Sequence, residues 1–237
     1  MAPPPQPCWA ISPHNLRHHL VLLLFTVAAA AVTTTRADTT GTPAPSPSAA
    51  LENQPSSSSA AASEFLRSRC ATTLYPSLCY ASLLPYASDY LHTGGAATLA
   101  RVASGVAAAH LRALSAQVKG ILLHRGDPGQ PADAAAALRD CASTISAAAN
   151  LAKQSAAELS RLVDAGESSR EARWEVSNAK TWLSAAMTNE GTCADGLEEA
   201  AGGAKASSPD GKEVSDGVVS VRQYTSNALA LVNGIQL

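Results

Sequence analysis

The sequence predicts an all-α protein: four long antiparallel helices preceded by shorter helices that fold back on one another. Three observations carry this. Apolar and small residues recur at 3-4 spacing along three separate stretches, which is the stripe of a bundle helix. Clusters of glycine and proline fall between those stretches. The composition is rich in alanine, the strongest helix former, and only 4% aromatic, so close helix approach and not large rings has to build the core.

The N-terminus is set aside first. Arg17, His18 and His19 precede an apolar run from Leu20 to Val32, thirteen residues long, and small residues follow towards Ala37. A spanning helix needs roughly twenty such residues, so residues 1–37 read as a secretory signal peptide. Residues 38–59, which include the run Thr-Pro-Ala-Pro-Ser-Pro, offer little apolar surface to bury and read as a Pro/Ser-rich disordered linker. The folded domain is expected over residues 60–237, large enough for a single core. No later stretch is long and apolar enough to span a membrane, so the mature chain is expected to be secreted, with no membrane association after cleavage.

Within the domain, Phe65, Leu66, Leu74, Leu78, Leu83 and Leu84 are interrupted by Pro76 and Pro85, which no single helix tolerates. Short helices result. A first long helix is expected from about Ala96 to Leu123, with Leu99, Val102, Val106, Ala113 and Ile121 on its inner side. The second carries Leu138, Cys141, Ile145, Ala148, Ala152, Ser155, Leu159 and Leu162. The third carries Val176, Ala179, Leu183, Ala186, Glu190, Cys193 and Leu197, and the fourth Val214, Val218, Val221, Thr225, Ala228, Val232 and Ile235. Between them lie Gly126-Asp127-Pro128-Gly129, Gly166-Glu167 and Gly202-Gly203. Ser168 with Glu171 reads as a capping box for the third helix, and Ser208-Pro209 as a cap followed by proline in the first turn of the fourth. Trp174 is placed to staple the start of the third.

Five cysteines are present. Cys8 leaves with the signal peptide, and Cys70, Cys79, Cys141 and Cys193 make an even set bound for an oxidising compartment. Cys70 and Cys79 flank the Tyr75-Pro76 turn, while Cys141 and Cys193 lie on long helical patterns, so the pairs are 70–79 and 141–193. By loop entropy such bridges stabilise by roughly 2.7 and 4 kcal/mol. No pair has Cys-x-x-Cys spacing and no two histidines cluster outside the signal peptide, so no metal site is expected.

Composition and motifs also exclude function classes. Seventeen Lys and Arg stand against nineteen Asp and Glu, leaving no excess for nucleic acid or for an anionic membrane surface. His110 and His124 lie about 21 Å apart along one helix, too far to share a site, and His92 precedes that helix. His110 reads as a core or boundary residue. No nucleophile elbow, phosphate-cradling glycine loop or His-Glu-x-x-His pair occurs. No catalytic residues and no cofactor are expected.

The cysteine blocks carry a resemblance. Phe65-Leu66-Arg67 leading to Cys70, Tyr75-Pro76 and Cys79, then Ala137-Leu138-Arg139-Asp140-Cys141, then Thr181-Trp182-Leu183 leading to Thr192-Cys193-x-Asp195, and Ser226-Asn227-Ala228-Leu229 are similar to the plant invertase and pectin methylesterase inhibitor domain. The resemblance covers nearly all of residues 60–237. It implies an antiparallel up-and-down four-helix bundle preceded by an N-terminal helical hairpin, two disulfides joining first to second and third to fourth cysteines, and secretion to the apoplast and cell wall.

The resemblance also bears on the target. Invertase inhibitors of this kind resemble one another in a Pro-Lys-Phe tripeptide after the third-cysteine helix, and the connection from Asp164 to Trp174 has none. The resemblance therefore favours a plant pectin methylesterase over invertase as partner, blocked without covalent chemistry by a face of the bundle laid across its pectin-binding cleft. Carried over by position, Thr192, Asp195, Asn150, Lys180 and Trp182 are the implied target-binding residues. Where related inhibitors present acidic or tyrosine side chains after the third cysteine, this chain has Ile145 and Ala147.

Overall fold

The computed structural model describes residues 57–91, 95–124, 132–202 and 208–237. The expected signal peptide with Cys8, the linker as far as residue 56, His92 and the Gly126–Gly129 connection lie outside the described residues.

The described elements are helical throughout. α1 (Ser57–Cys70) ends at a turn in which Thr72 and Thr73 donate their hydroxyls to the carbonyls of Arg69 and Cys70 at 2.9 and 2.8 Å. Pro76, whose missing N–H is no loss in a first turn, opens α2 (Pro76–Leu83). Cys70 and Cys79 are bonded across the turn, closing the hairpin the sequence predicts. A 3-10 turn containing Pro85 (Leu84–Tyr86) leads into α3 (Ala87–Leu91). Tyr90 is fully buried beneath these short helices, its hydroxyl donating to the Leu83 carbonyl at 3.3 Å.

Four long helices follow: α4 (Ala96–His124), α5 (Ala132–Ala165), α6 (Ala172–Ala200) and α7 (Pro209–Asn233). Each packs on its chain neighbours and α7 closes the ring on α4, so the order around the bundle is α4-α5-α6-α7. Successive contacts run in opposite directions along paired helices. Ser104 meets Ser155 at 3.4 Å while Ser115 donates to the Ala142 carbonyl at 3.3 Å, the register of an antiparallel pair. On the other side of α4, His110 stacks on Tyr224 with centroids 3.8 Å apart, and Gln117 donates to Glu213 at 2.7 Å. The bundle is therefore up-and-down.

Every seam residue expected on α5, α6 and α7 is buried. Their small average size brings helices close, as at Gly217, where a Cβ would stand 2.6 Å from a Leu114 methyl. The second disulfide, Cys141–Cys193, bonds α5 to α6. Asn227 on α7 fixes the hairpin to the bundle: its Oδ1 accepts from the Tyr75 N–H at 3.1 Å and its Nδ2 donates to the Tyr75 carbonyl at 3.0 Å.

Three local expectations are corrected. Ala113 is exposed; the seam of α4 runs through Leu111, Leu114, Val118 and Ile121, and Ala113 falls just outside the margin of the buried arc. The Ser168–Glu171 capping box does not form. Gly166, at φ 87°, starts a turn that occupies the following residues, so Glu171 itself stands in the cap position with no side-chain cap bond. Trp174 is 70% exposed and staples nothing. His110 is a boundary residue as expected, exposed but with its ring laid against Tyr224. The cap of α7 is as expected, with Ser208 accepting from the Gly211 N–H at 3.1 Å.

Candidate functional site

A disulfide between antiparallel helices determines which neighbours share a face. At about 100° per residue, positions one before and three after each cysteine turn to the same side of the seam. Asp140 and Thr144 stand so on α5, and Thr192 and Gly196 on α6. These four, with Asp133, Ala137 and Glu199, line a groove of about 590 Å3 over the Cys141–Cys193 bond. Its floor is alanine and glycine, and its rim carries carboxylates. The hydroxyl of Thr192 donates to the Thr188 carbonyl at 3.0 Å.

The structure brings together only part of the predicted set. Thr192 lines the groove, and Trp182, half-buried on α6, lies on the same α5-facing flank. Asp195 is exposed and points outward beside the groove. Lys180 is two residues from Trp182, hence about 200° around the axis, and lies on the flank towards α7. Asn150 is exposed on α5 but six residues from Thr144, a rotation that turns it about 120° away from the groove. Ile145 is fully buried and belongs to the core, so it is no surface counterpart of a polar anchor; Ala147 is exposed. Asp133, Asp140, Thr144, Gly196 and Glu199 were not anticipated. The signal for Asp140, Thr144 and Gly196 was in the sequence, as their spacing from cysteines already paired.

Two carboxyls of α6, Glu175 and Glu190, are buried in the interior. Glu190 is fully buried at a seam position, and its Oε1 accepts from the Thr225 hydroxyl at 2.6 Å while Oε2 has no hydrogen-bond partner. Burial pushes its carboxyl up to about 7, against smaller opposing effects of the Thr225 hydrogen bond and the Arg222 charge. It is closed off from the surface and faces no cleft. His110 is held below the ordinary histidine range by partial burial of its ring. Among the described residues no three His, Cys, Asp or Glu side chains are grouped to hold a metal ion.

A stapled helical bundle whose distinctive surface is a shallow groove beside a disulfide is the frame of a binding protein: it offers a rigid face, with its titratable groups dispersed. Residues 64–231 match the family described as plant invertase/pectin methylesterase inhibitor, and the chain belongs to that family. It is therefore an inhibitor and not a catalyst. It is similar to Pectinesterase inhibitor 9 of Arabidopsis thaliana, with 38% identity over 170 residues covering 72% of this chain and 79% of that protein. Pectinesterase inhibitor 3 of Arabidopsis thaliana is 31% identical over 175 residues, covering 73% and 79%. The crystal structure of mutant form A of a pectin methylesterase inhibitor from Arabidopsis superimposes with a TM-score of 0.50 at 18% identity, covering 70% of this chain and 94% of that one, and so shares the fold.

Proposed function

We propose that this chain is a secreted inhibitor of plant pectin methylesterase, acting by non-covalent occlusion of the enzyme's pectin-binding cleft and so limiting demethylesterification of wall pectin. The observation that carries the reading is similarity along most of the chain, at 38% and 31% identity, to two proteins named pectinesterase inhibitors. The α5–α6 connection supports the choice of target, since it lacks the Pro-Lys-Phe tripeptide of invertase inhibitors.

The geometry suits a steric mechanism. Groups that must exclude a polymer from a cleft need a surface that does not deform, and two disulfides with four mutually packed helices supply it. The small residues flooring the groove at Ala137 and Gly196 let another protein's backbone or loop approach closely. Thr192 and Asp195 mark the α6 edge of this face, and Asp140 and Thr144 its α5 edge. Trp182 supports the edge from its flank. Lys180 and Asn150 turn to other sides and contribute little to the same contact.

Two disulfides accord with an oxidising compartment, and among the described residues no helix is long and apolar enough to cross a membrane. The site of action in this reading is the apoplast. The test is a paired assay of the purified secreted protein in mildly acidic buffer. Stoichiometric suppression of pectin demethylation with sucrose hydrolysis by invertase untouched is expected. Full methylesterase activity at a large molar excess of the protein overturns the reading, and suppression of sucrose hydrolysis in its place transfers it to invertase.

A further inference from the structure

The outward face of α6 differs from the exposed faces of its neighbours. α5 presents Arg139, Asp140, Lys153 and Arg161 to solvent, and α7 presents Lys212, Glu213, Asp216 and Arg222. Between Arg173 and Asp195, by contrast, the charged residues of α6 are Glu175 and Glu190, both buried, and Lys180, half-buried on a flank. The fully exposed positions of that span are Trp174, Ser177, Thr181, Ser184, Thr188 and Thr192. They recur at 3-4 spacing and form one straight ridge, about 27 Å long.

The threonine hydroxyls of this ridge already donate within the helix. Thr181 donates to the Ser177 carbonyl at 2.9 Å, Thr188 to Ser184 at 3.2 Å and Thr192 to Thr188 at 3.0 Å. Each threonine offers a partner its methyl and a hydroxyl oxygen still able to accept, on a side chain with few rotamers to lose. Depletion of charge over such a length is a feature shared with interface centres. At one end stands Trp174, 70% exposed, of the residue type most often found as a binding anchor.

We propose that Trp174 anchors a second contact with the pectin methylesterase, at the opposite end of the α6 ridge from Thr192 and Asp195. The inference rests on the proposed inhibitor function. Two observations select the enzyme as occupant. The ridge is continuous with the groove through Thr192, which belongs to both. And at about 27 Å by the width of one helix, the ridge offers only a few hundred Å2, short of the roughly 800 Å2 per partner of a stable complex. It therefore works as an extension of the groove contact, under one partner, and not as a separate docking site. A neutral ridge also asks for no matching charge, so the enzyme surface beneath it is apolar or weakly polar, with a recess for the indole.

The experiment compares inhibition constants of the wild-type protein, Trp174→Ala, Thr181→Lys and Val219→Ala against one pectin methylesterase. Val219 is a 58% exposed apolar residue on α7, off the ridge. Truncation of a hot-spot side chain raises the inhibition constant at least about tenfold; a rise of this size is expected for Trp174→Ala and for Thr181→Lys, which puts a charge mid-ridge. Val219→Ala is expected to match the wild type, and circular dichroism and thermal midpoints should be alike in all four. If the wild type inhibits and Trp174→Ala inhibits equally well, the anchor is refuted and the inhibitor function stands. Equal weakening by Val219→Ala also refutes it, since the effect would not belong to the ridge. If the wild type does not inhibit, both readings fall.

Discussion

Glu190 makes stability depend on pH in a direction that can be worked out beforehand. A carboxyl with no exposed surface, moved from its ordinary 4.5 to about 7, costs the fold about 3 kcal/mol once ionised, at roughly 1.4 kcal/mol per pH unit. The folded value is raised, so the folded chain holds the proton more tightly than the unfolded chain does. Below the unfolded value both states are protonated and there is no penalty. Between 4.5 and about 7 the unfolded chain ionises first, and stability falls with rising pH. Above the folded value the loss is complete. His110, whose value is lowered, acts in the opposite sense, with stability rising as pH passes its folded value towards the unfolded one. The two must be separated by a variant. Glu190→Gln keeps the acceptor for Thr225 and removes the titration. Urea unfolding of wild type and variant at about pH 4 and about pH 8 is expected to show their stability difference moving by about 3 kcal/mol towards the variant as pH rises. Parallel curves for the two proteins would refute the argument and place the Glu190 carboxyl in contact with solvent.

Two further substitutions probe the frame. Replacing Cys141 and Cys193 together by serine opens a cross-link of sequence separation 52; unfolding free energy should drop by about 4 kcal/mol from loop entropy, and complete reduction should abolish inhibition together with helical circular dichroism. Inhibition unchanged after full reduction would show the bundle holding without its bonds. Asn227→Ala leaves the Tyr75 N–H without its partner, while the Tyr75 carbonyl keeps the Cys79 N–H at 2.9 Å; a loss of about 2 kcal/mol and faster hydrogen exchange in α2 are expected, while unaltered exchange there would mean the hairpin is held by packing alone.

The seams of α5, α6 and α7 were legible residue by residue because a helix facing one core obeys a fixed period, and Leu159, Leu183 or Val232 has no other way to be buried. α4 was less legible. It is contacted by α5, by α7 and by the short helices, so its buried arc is wide, and a residue at its margin such as Ala113 is assigned by a few degrees of rotation. The capping box failed for a related reason. Ser168 and Glu171 have the right types at the right spacing, but the positive φ of Gly166 settles where the turn ends and therefore where α6 begins. As for the candidate face, Thr192 and Asp195 were found from their cysteine, whereas Asn150 and Lys180 were grouped with them by order along the chain, which says nothing about rotation around two different axes.

What the sequence determined by itself is what local chemistry enforces: helices where the period and alanine content require them, a break at Pro76, bonds between cysteines placed on facing patterns, and the family those blocks define. The tertiary structure decided which side chains share a surface. That depends on the rotation and register of one helix against another, set by the sum of many small contacts such as Leu114 against Gly217. It is why the carboxyl of Glu190 ends inside the bundle, and why an indole expected to staple a helix start stands instead in solvent at the end of a neutral ridge.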